Sequence, residues 1–300
     1  MKALVTGSSG FIASNLVKYL EAKGYTVIPY DIKTGQDILN REQLEETFKK
    51  HSFDEVYHLA AQAFVGPGEA NPYLDLRINA EGMLNMLHCI EKHRVPMVFT
   101  SSGSVYGLTD SFPHTEKALI RPTANYGCTK RLAELYLQKW VIMTGIEAKI
   151  VRFSSVYGPG RGMNGPVNVF VSLALKGKPL TVYGDGSQTR DTVYIEDALH
   201  GLFTVQHHGI PGEIYNVGCG EEHSVKEVAE IVSQLTNTEL SFIKGHKFSK
   251  FDVKRSYYDI TKLKNIGYTP HYTLQEGILE TLNIEQKTQT NKIPVNIPAP

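Results

Sequence analysis

The feature that most narrows the folds open to this chain is a strand that runs straight into a glycine turn and out again into a helix. Residues Lys2–Thr6 form a short apolar run and Gly7-Ser8-Ser9-Gly10 follows. Phe11, Ile12, Leu16, Val17 and Leu20 then recur on one helical face, with Gly24 where a C-cap would stand. The alternation continues down the chain. Tyr25–Tyr30 reads as strand, Arg41–His51 as helix, Glu55–Ala60 as buried strand and Leu76–His93 as helix. Pro96–Ser101 is strand again, Asn125–Thr144 a long helix and Ala148–Phe153 a strand. Strands separated by helices imply parallel βαβ units, hence an α/β chain with an open, doubly wound parallel sheet. Two details refine this. Pro29 lacks a ladder donor and places the second strand near a sheet edge. Only five residues separate Asp31 from Asp37, whereas a crossover to a parallel neighbour needs about a dozen. The usual helix after strand two is therefore expected to be missing and the third strand vestigial.

After Phe153 the pattern changes to dense Gly and Pro (YGPGRGMNGP), helices at Val169–Lys176 and Ser224–Leu235, and a returning strand at Glu213–Val217. The expected division is a dinucleotide-binding part, 1–155 with about 191–221, and a smaller discontinuous lobe, 156–190 and 222–286. Residues 287–300 read as an irregular tail. Lys+Arg and Asp+Glu both number 31, so no global field points to a nucleic acid or an anionic membrane. Cys89, Cys128 and Cys219 stand far apart and form no CxxC pair, which argues against a disulfide framework and against a metal site. The N-terminal apolar run is too short for a signal peptide, and no run reaches transmembrane length. The expected location is cytoplasmic.

The glycine turn has a definite chemical use. Gly7 and Gly10 let the backbone approach a pyrophosphate, and the N-terminus of the helix opened by Phe11 and Ile12 turns free N–H groups toward it. The GxxGxxA spacing differs from GxGxxG but keeps the strand before and the helix after, as in a Rossmann-type unit. Asp31, 21 residues after Gly10, suits an adenosine ribose and repels a 2′-phosphate, so NAD is favoured over NADP. Lys33 pulls the other way. Further on, Tyr126 and Lys130 stand at i and i+4 on one helix face. A free tyrosine titrates at about 10, and a nearby ammonium and a positive nicotinamide ring both favour its phenolate, making it a base for a hydroxyl. Taken alone, such a pair is common on surface helices.

It does not stand alone. In order along the chain come GSSGFIA (7–13), HLAA (58–61), the Asn79 region, SSGSVYG (101–107), YGCTK (126–130), RFSSVYGPG (152–160), YGDGSQTRD (183–191) and NVG (216–218). With these the chain resembles the extended short-chain dehydrogenase/reductase family, in its NAD-dependent nucleotide-sugar epimerase and dehydratase group. The resemblance implies that Tyr126 is the acid/base, that Lys130 lowers its pKa and holds the nicotinamide ribose, and that Ser102, with Ser104 as a second hydroxyl, bonds the reacting sugar oxygen. It implies that Asp37 and Ile38 flank adenine, that Leu59, Ala60, Ala61 and Gln62 line the cofactor path, and that Asn79 lies near it. Arg190 and Arg255 match arginines that clamp a nucleotide diphosphate, with Asn168 adding an amide donor. Ser155 stands where the family often has Asn, at the sugar or diphosphate. The family's dimer, a four-helix bundle, would use residues 76–93 and 125–144. His58 is expected to be a structural buried histidine, and Cys128 to pack as a small apolar residue.

The family's 4,6-dehydratases carry Asp-Glu after the position of Ser102, and its decarboxylating members tend to carry Glu in this segment. Here Gly103 and Ser104 stand there, so elimination lacks its proton carriers. The expectation is a 4-epimerase with tightly bound NAD acting on a nucleotide sugar, UDP favoured. A 4-keto-sugar reductase would use the same residues with exchangeable NAD(P)H, and a non-catalytic dinucleotide sensor would be expected to lose Tyr126 or Lys130. The short glycine-rich loop Arg161–Pro166 is expected to leave a roomy sugar pocket.

Overall fold

The structure is a computed structural model that describes residues 1–109, 111–162, 164–243, 245 and 253–290. The chain opens with β1 (Lys2–Thr6), α1 (Phe11–Ala22), β2 (Thr26–Tyr30), α2 (Arg41–Lys50) and β3 (Glu55–His58). Then come α3 (Val65–Ala70), α4 (Pro72–Leu76), a π turn (Arg77–Glu81), α5 (Gly82–His93) and β4 (Met97–Ser102). A 3-10 turn (Gly103–Val105), α6 (Asn125–Thr144) and β5 (Ala148–Phe153) complete this half. The remainder holds β6 (Ser155–Tyr157), α7 (Pro166–Leu175), β7 (Leu180–Tyr183), β8 (Thr189–Arg190), β9 (Thr192–Tyr194), α8 (Ile195–His208) and β10 (Ile214–Val217). It ends with β11 (His223–Ser224), α9 (Val225–Thr236), β12 (Leu240–Ile243), α10 (Thr261–Lys264) and α11 (Leu274–Thr290).

Six strands form one parallel sheet in the order β10-β5-β4-β3-β1-β2. The edge strand is β2, as Pro29 demanded: opposite Val5 it needs no donor on its outer side. From Tyr30 to Arg41 the chain makes only a 3-10 turn, Ile32–Thr34, and a loop. Helix α2 then carries it back across β1 to β3, so the sheet does not extend beyond β2. Alternate strand residues feed opposite faces. Ala3, Val5, Tyr57 and Val98 pack with Leu16 of α1 and Leu199 and Leu202 of α8. Leu4, Val56 and Phe99 pack with Leu44 of α2, Met86 and Leu87 of α5 and Leu137 of α6.

The doubly wound order reverses at β1, whose neighbours β2 and β3 lead away in opposite directions. That leaves a crevice at the carboxyl ends of β1 and β3, where open α/β sheets bind ligands. Beyond β5, α7 packs on α9, β7 pairs with β12, and β8 pairs with β11. This joins the two stretches assigned to the smaller lobe. Several sequence boundaries move. β3 ends at His58 because Leu59 and Ala60 turn their amides onto the Thr6 hydroxyl. The helix read as Leu76–His93 is broken by the π turn that carries Asn79. Helix α7 starts at Pro166, ideal at a first helical position. Residues 287–290, read as irregular, continue α11, and 291–300 lie outside the described residues. Among the described residues no helix is long and apolar enough to cross a membrane.

Candidate active site

The turn after β1 has the form the sequence predicts. Gly7 has φ +68°, and a Cβ there would lie 2.8 Å from Cα and N of Ala60. Only glycine lets the turn after β1 touch the turn after β3. The Gly7 amide donates to Tyr30 O and the Gly10 amide to Gly7 O, both at 2.8 Å. Gly10 caps α1 and no side chain makes a capping hydrogen bond to its first turn, which leaves those amides for an anion. Asp31 ends β2 and is buried. It accepts from the Ser9 amide and the Lys33 amide, both at 2.9 Å, which ties the ribose-binding candidate to the turn itself. This cradle, which a side chain would fill, fits a dinucleotide pyrophosphate beside an acidic ribose partner.

Around it, Asp37 accepts from the Leu39 amide. The Ile38 side chain is buried under Gly82, where a Cβ would lie 2.6 Å from it. Any contact of Ile38 with adenine therefore falls to its backbone. Asn79 is buried. It accepts from the Gln62 amide at 3.0 Å and donates to Gln62 O at 3.1 Å and to the Thr129 hydroxyl at 3.0 Å, clamping the HLAAQ turn to α6. Ala61 sits half-buried in that turn. His58 is structural: it is 1% exposed, its Nδ1 lies 2.8 Å from the Thr6 hydroxyl, and burial, then the Lys130 charge, push it down to about 3.

Ser102, Tyr126 and Lys130 converge. A Cβ on Gly127 would lie 2.6 Å from Ser104 O, so α6 packs directly on the 3-10 turn and brings Tyr126 to Ser102. Burial pushes the Tyr126 phenol up to about 12. The Ser102 side chain works against this, the Asp75 carboxylate adds to the rise, and the Arg161 guanidinium opposes it. Ser102 Oγ donates to Ser104 Oγ at 3.1 Å, making a small hydroxyl relay. Lys130 is buried, donates to Thr100 O at 2.8 Å, and places its Nζ 6.0 Å from the Tyr126 ring centre. Burial pushes its ammonium down to about 7, with Glu134 pulling the other way. The lowering of Tyr126 expected from Lys130 is not found: the phenol is raised overall, and Ser102 and Arg161 only oppose the rise.

The nucleotide end is less simple than the motifs suggest. Arg190, on β8, donates to Thr189 O at 2.7 Å. Arg255 is engaged by Glu222 through two bonds at 2.7 and 2.8 Å and lies over the rings of Phe112 and Tyr257, so a diphosphate must compete with a carboxylate for it. Asn168 is 3% exposed and exchanges bonds with both polar groups of Gly158. It holds the YGPG turn, with one of its two amide hydrogens on Gly158 O, which the sequence could not show. Ser155 sits on β6, half-buried, its amide on Asp191 O. Cys128 is exposed, contrary to the packed position expected, and its thiol is raised by burial of the sulfur and by Glu69, which disfavours a nucleophile.

Three residues near the site stand outside these motifs. Arg161 folds back, its guanidinium 5.3 Å over the Phe11 ring and close enough to act on Tyr126. The glycine-rich loop thus lends a charge to the site where an open pocket was expected; Met163 in it lies outside the described residues. Tyr258 places its hydroxyl 1.8 Å from where a Gly103 Cβ would be, so a phenol from the C-terminal segment occupies the room of the missing side chain. Asp75 sits buried behind Gln62. The spacing of Gly103 in SSGSVYG was the only available signal for Tyr258. Nothing in the local sequence marks Asp75. Among the described residues no cluster of His, Cys, Asp and Glu could hold a metal ion.

A doubly wound sheet with a glycine turn, an acidic residue closing β2, and a Ser, Tyr and Lys meeting beside them defines a nicotinamide-dinucleotide-dependent class of protein. Residues 3–218 match the NAD dependent epimerase/dehydratase family, and the chain belongs to it. A protein of Methanocaldococcus jannaschii described as a UDP-glucose 4-epimerase is 34% identical over 302 residues, covering 93% of this chain and 97% of its own. UDP-glucuronic acid decarboxylase 1 of Xenopus tropicalis is 30% identical, covering 99% of this chain and 76% of its own. The crystal structure of Thermotoga maritima UDP-glucose 4-epimerase with UDP-glucose superposes with a TM-score of 0.90 at 31% identity, covering 96% of this chain and all of that one.

Proposed function

We propose that this protein is an NAD-dependent nucleotide-sugar 4-epimerase that keeps its cofactor bound and acts on a UDP-sugar. The observation that carries the proposal is the meeting of Ser102, Tyr126 and Lys130, with Gly103 and Ser104 in place of the carboxylates that elimination needs. The dinucleotide, when bound, supplies reversible two-electron chemistry at a sugar carbon. The glycine turn and α1 hold its pyrophosphate, Asp31 its ribose, and Lys130 the ribose on the nicotinamide side. Ser102 and Ser104 orient the sugar 4-hydroxyl, and Tyr126 takes its proton. The 4-keto sugar turns over within the site and is reduced from its other face, and Tyr126 returns the proton. Arg190 and Arg255 hold the diphosphate through charge-assisted bonds, within a lobe built from 156–190 and 222–286. We further propose a cytoplasmic homodimer joined through α5 and α6.

A panel of nucleotide sugars incubated with the purified protein, no nicotinamide cofactor added, tests this by NMR. Inversion at C4 of a UDP-hexose is expected, and NAD should leave the denatured protein in near-stoichiometric amount. Turnover only with added NAD(P)H would favour the 4-keto-sugar reductase instead. The variant Tyr126→Phe should keep cofactor and lose most turnover; wild-type rates from it would remove Tyr126 from the acid/base role.

A further inference from the structure

Asp75 is a buried carboxylate that the chemistry above does not use. It lies in α4 with its side chain fully enclosed. Its Oδ1 accepts from Gln62 Nε2 at 2.6 Å, and its Oδ2 has no hydrogen-bond partner among the described residues. The space for it is made by Gly68, where a Cβ would lie 2.3 Å from Oδ2. Two chains of contacts tie it to the start of α6. Gln62 is clamped to Asn79, Asn79 bonds the Thr129 hydroxyl, and that hydroxyl donates to Tyr126 O at 3.1 Å. On the other side Gly68 O accepts from Asn125 Nδ2, and Glu69 accepts from the Asn125 amide, one residue before Tyr126.

We propose that Asp75 is a positioning residue for Tyr126: its enclosed negative charge holds the proton on the phenol, so that Tyr126 gives it up only when further positive charge collects beside it. Buried in low dielectric with one oxygen unpartnered, the carboxylate is weakly screened and acts over a longer range than a surface charge would. Its own pKa is raised, by burial first and then by Glu69, with the Gln62 bond opposing, yet it remains an acid far stronger than a phenol. It is therefore ionised wherever Tyr126 titrates, and the sign of its effect is fixed. Among the described residues the other charged or titrating groups facing the pair are Arg161, which opposes Asp75 at the phenol, Glu69, which acts on Asp75, and Lys130, whose Nζ lies 6.0 Å from the Tyr126 ring centre but which, lowered to about 7, is neutral where the phenol titrates. Asp75 opposes the Arg161 charge at the phenol, which keeps it an acid that can return what it takes.

The inference rests on Tyr126 being the acid/base of the proposed reaction, but its test does not need turnover. A ring-fluorinated tyrosine incorporated at position 126 brings the phenol into an accessible pH range and gives one fluorine NMR signal. Its titration midpoint is read in the wild-type background, in Asp75→Asn, which keeps shape, and in Asp75→Ser, which removes bulk as well as charge. Both variants should lower the midpoint by about one unit, about tenfold more phenolate at a given pH. A role in packing alone would leave the midpoint of the folded protein in place. An unchanged or raised midpoint in either folded variant overturns the proposal. Full activity of Tyr126→Phe would sink the proposed reaction while leaving this coupling intact, so the two failures are distinguishable.

Discussion

Glu134 joins the stability of the sheet to the chemistry of the site, and replacing it with leucine tests both. Its carboxylate is fully buried in α6. It accepts from Arg152 Nε and Nη2, both at 2.8 Å, from the Ser101 hydroxyl at 2.6 Å and from Arg131 at 2.9 Å. Arg152, on β5, is 1% exposed, and its guanidinium lies 4.8 Å over the Tyr106 ring. In Glu134→Leu that guanidinium stays buried without a counter-charge, which costs about 3–5 kcal/mol. An unfolding entropy of about 2.1 cal/mol/K per residue gives roughly 0.6 kcal/mol/K for 300 residues. The melting temperature should therefore fall by about 5–8 °C in calorimetry. Adding Arg152→Met removes the stranded charge, and Arg131, partly exposed, turns to water. The Ser101 hydroxyl and Glu116 O, which accepts from Arg152 Nη1 at 3.3 Å, are left wanting, about 1 kcal/mol each, so the double variant should recover to within about 3 °C of wild type. A loss below about 2 °C in the single variant, or an equal loss in both, would show that the uncompensated charge is not what matters. The two variants share a second effect: without Glu134 the Lys130 ammonium loses the charge that raises its pKa. Turnover at neutral pH should drop in both, including the one whose stability returns.

Gly7→Ala must place a side chain at φ +68° and 2.8 Å from the Ala60 backbone, at a cost of about 1–2 kcal/mol for the left-handed backbone alone. It should lose at least about tenfold in NAD affinity by calorimetric titration, and wild-type affinity would remove the turn from the cofactor site. Lys130 supplies a pH test. Its folded pKa of about 7 lies below the ordinary lysine value, about 10.4, so its burial destabilises fully below pH 7, and the penalty is relieved as pH rises through that window. The wild type should gain stability relative to Lys130→Met between those limits in urea unfolding. A difference that stays flat would show the lysine is not depressed.

The parts of this protein that are legible in its residues are those governed by short-range rules. The strand–turn–helix at Lys2–Ala22, the edge position forced by Pro29 and the five-residue gap before Asp37 each follow from local geometry. The i, i+4 spacing of Tyr126 and Lys130 likewise survives unchanged into α6. Motif order carried the site as far as Ser102. It did not show that Gly158 and Glu222 also engage Asn168 and Arg255, because a motif records residue type and not competing partners.

Sequence alone therefore determined the sheet, the glycine cradle and the identity of the three residues that meet beside it. Tertiary structure alone decided what surrounds them. Arg161 reaches Tyr126 by folding back a loop, Tyr258 enters where Gly103 leaves room, and Asp75 settles on Gly68. Backbone propensities act over a few residues and can be read in order. The field at the half-buried Tyr126 phenol is set by charges that are distant in sequence and close in space, in a medium that screens them weakly.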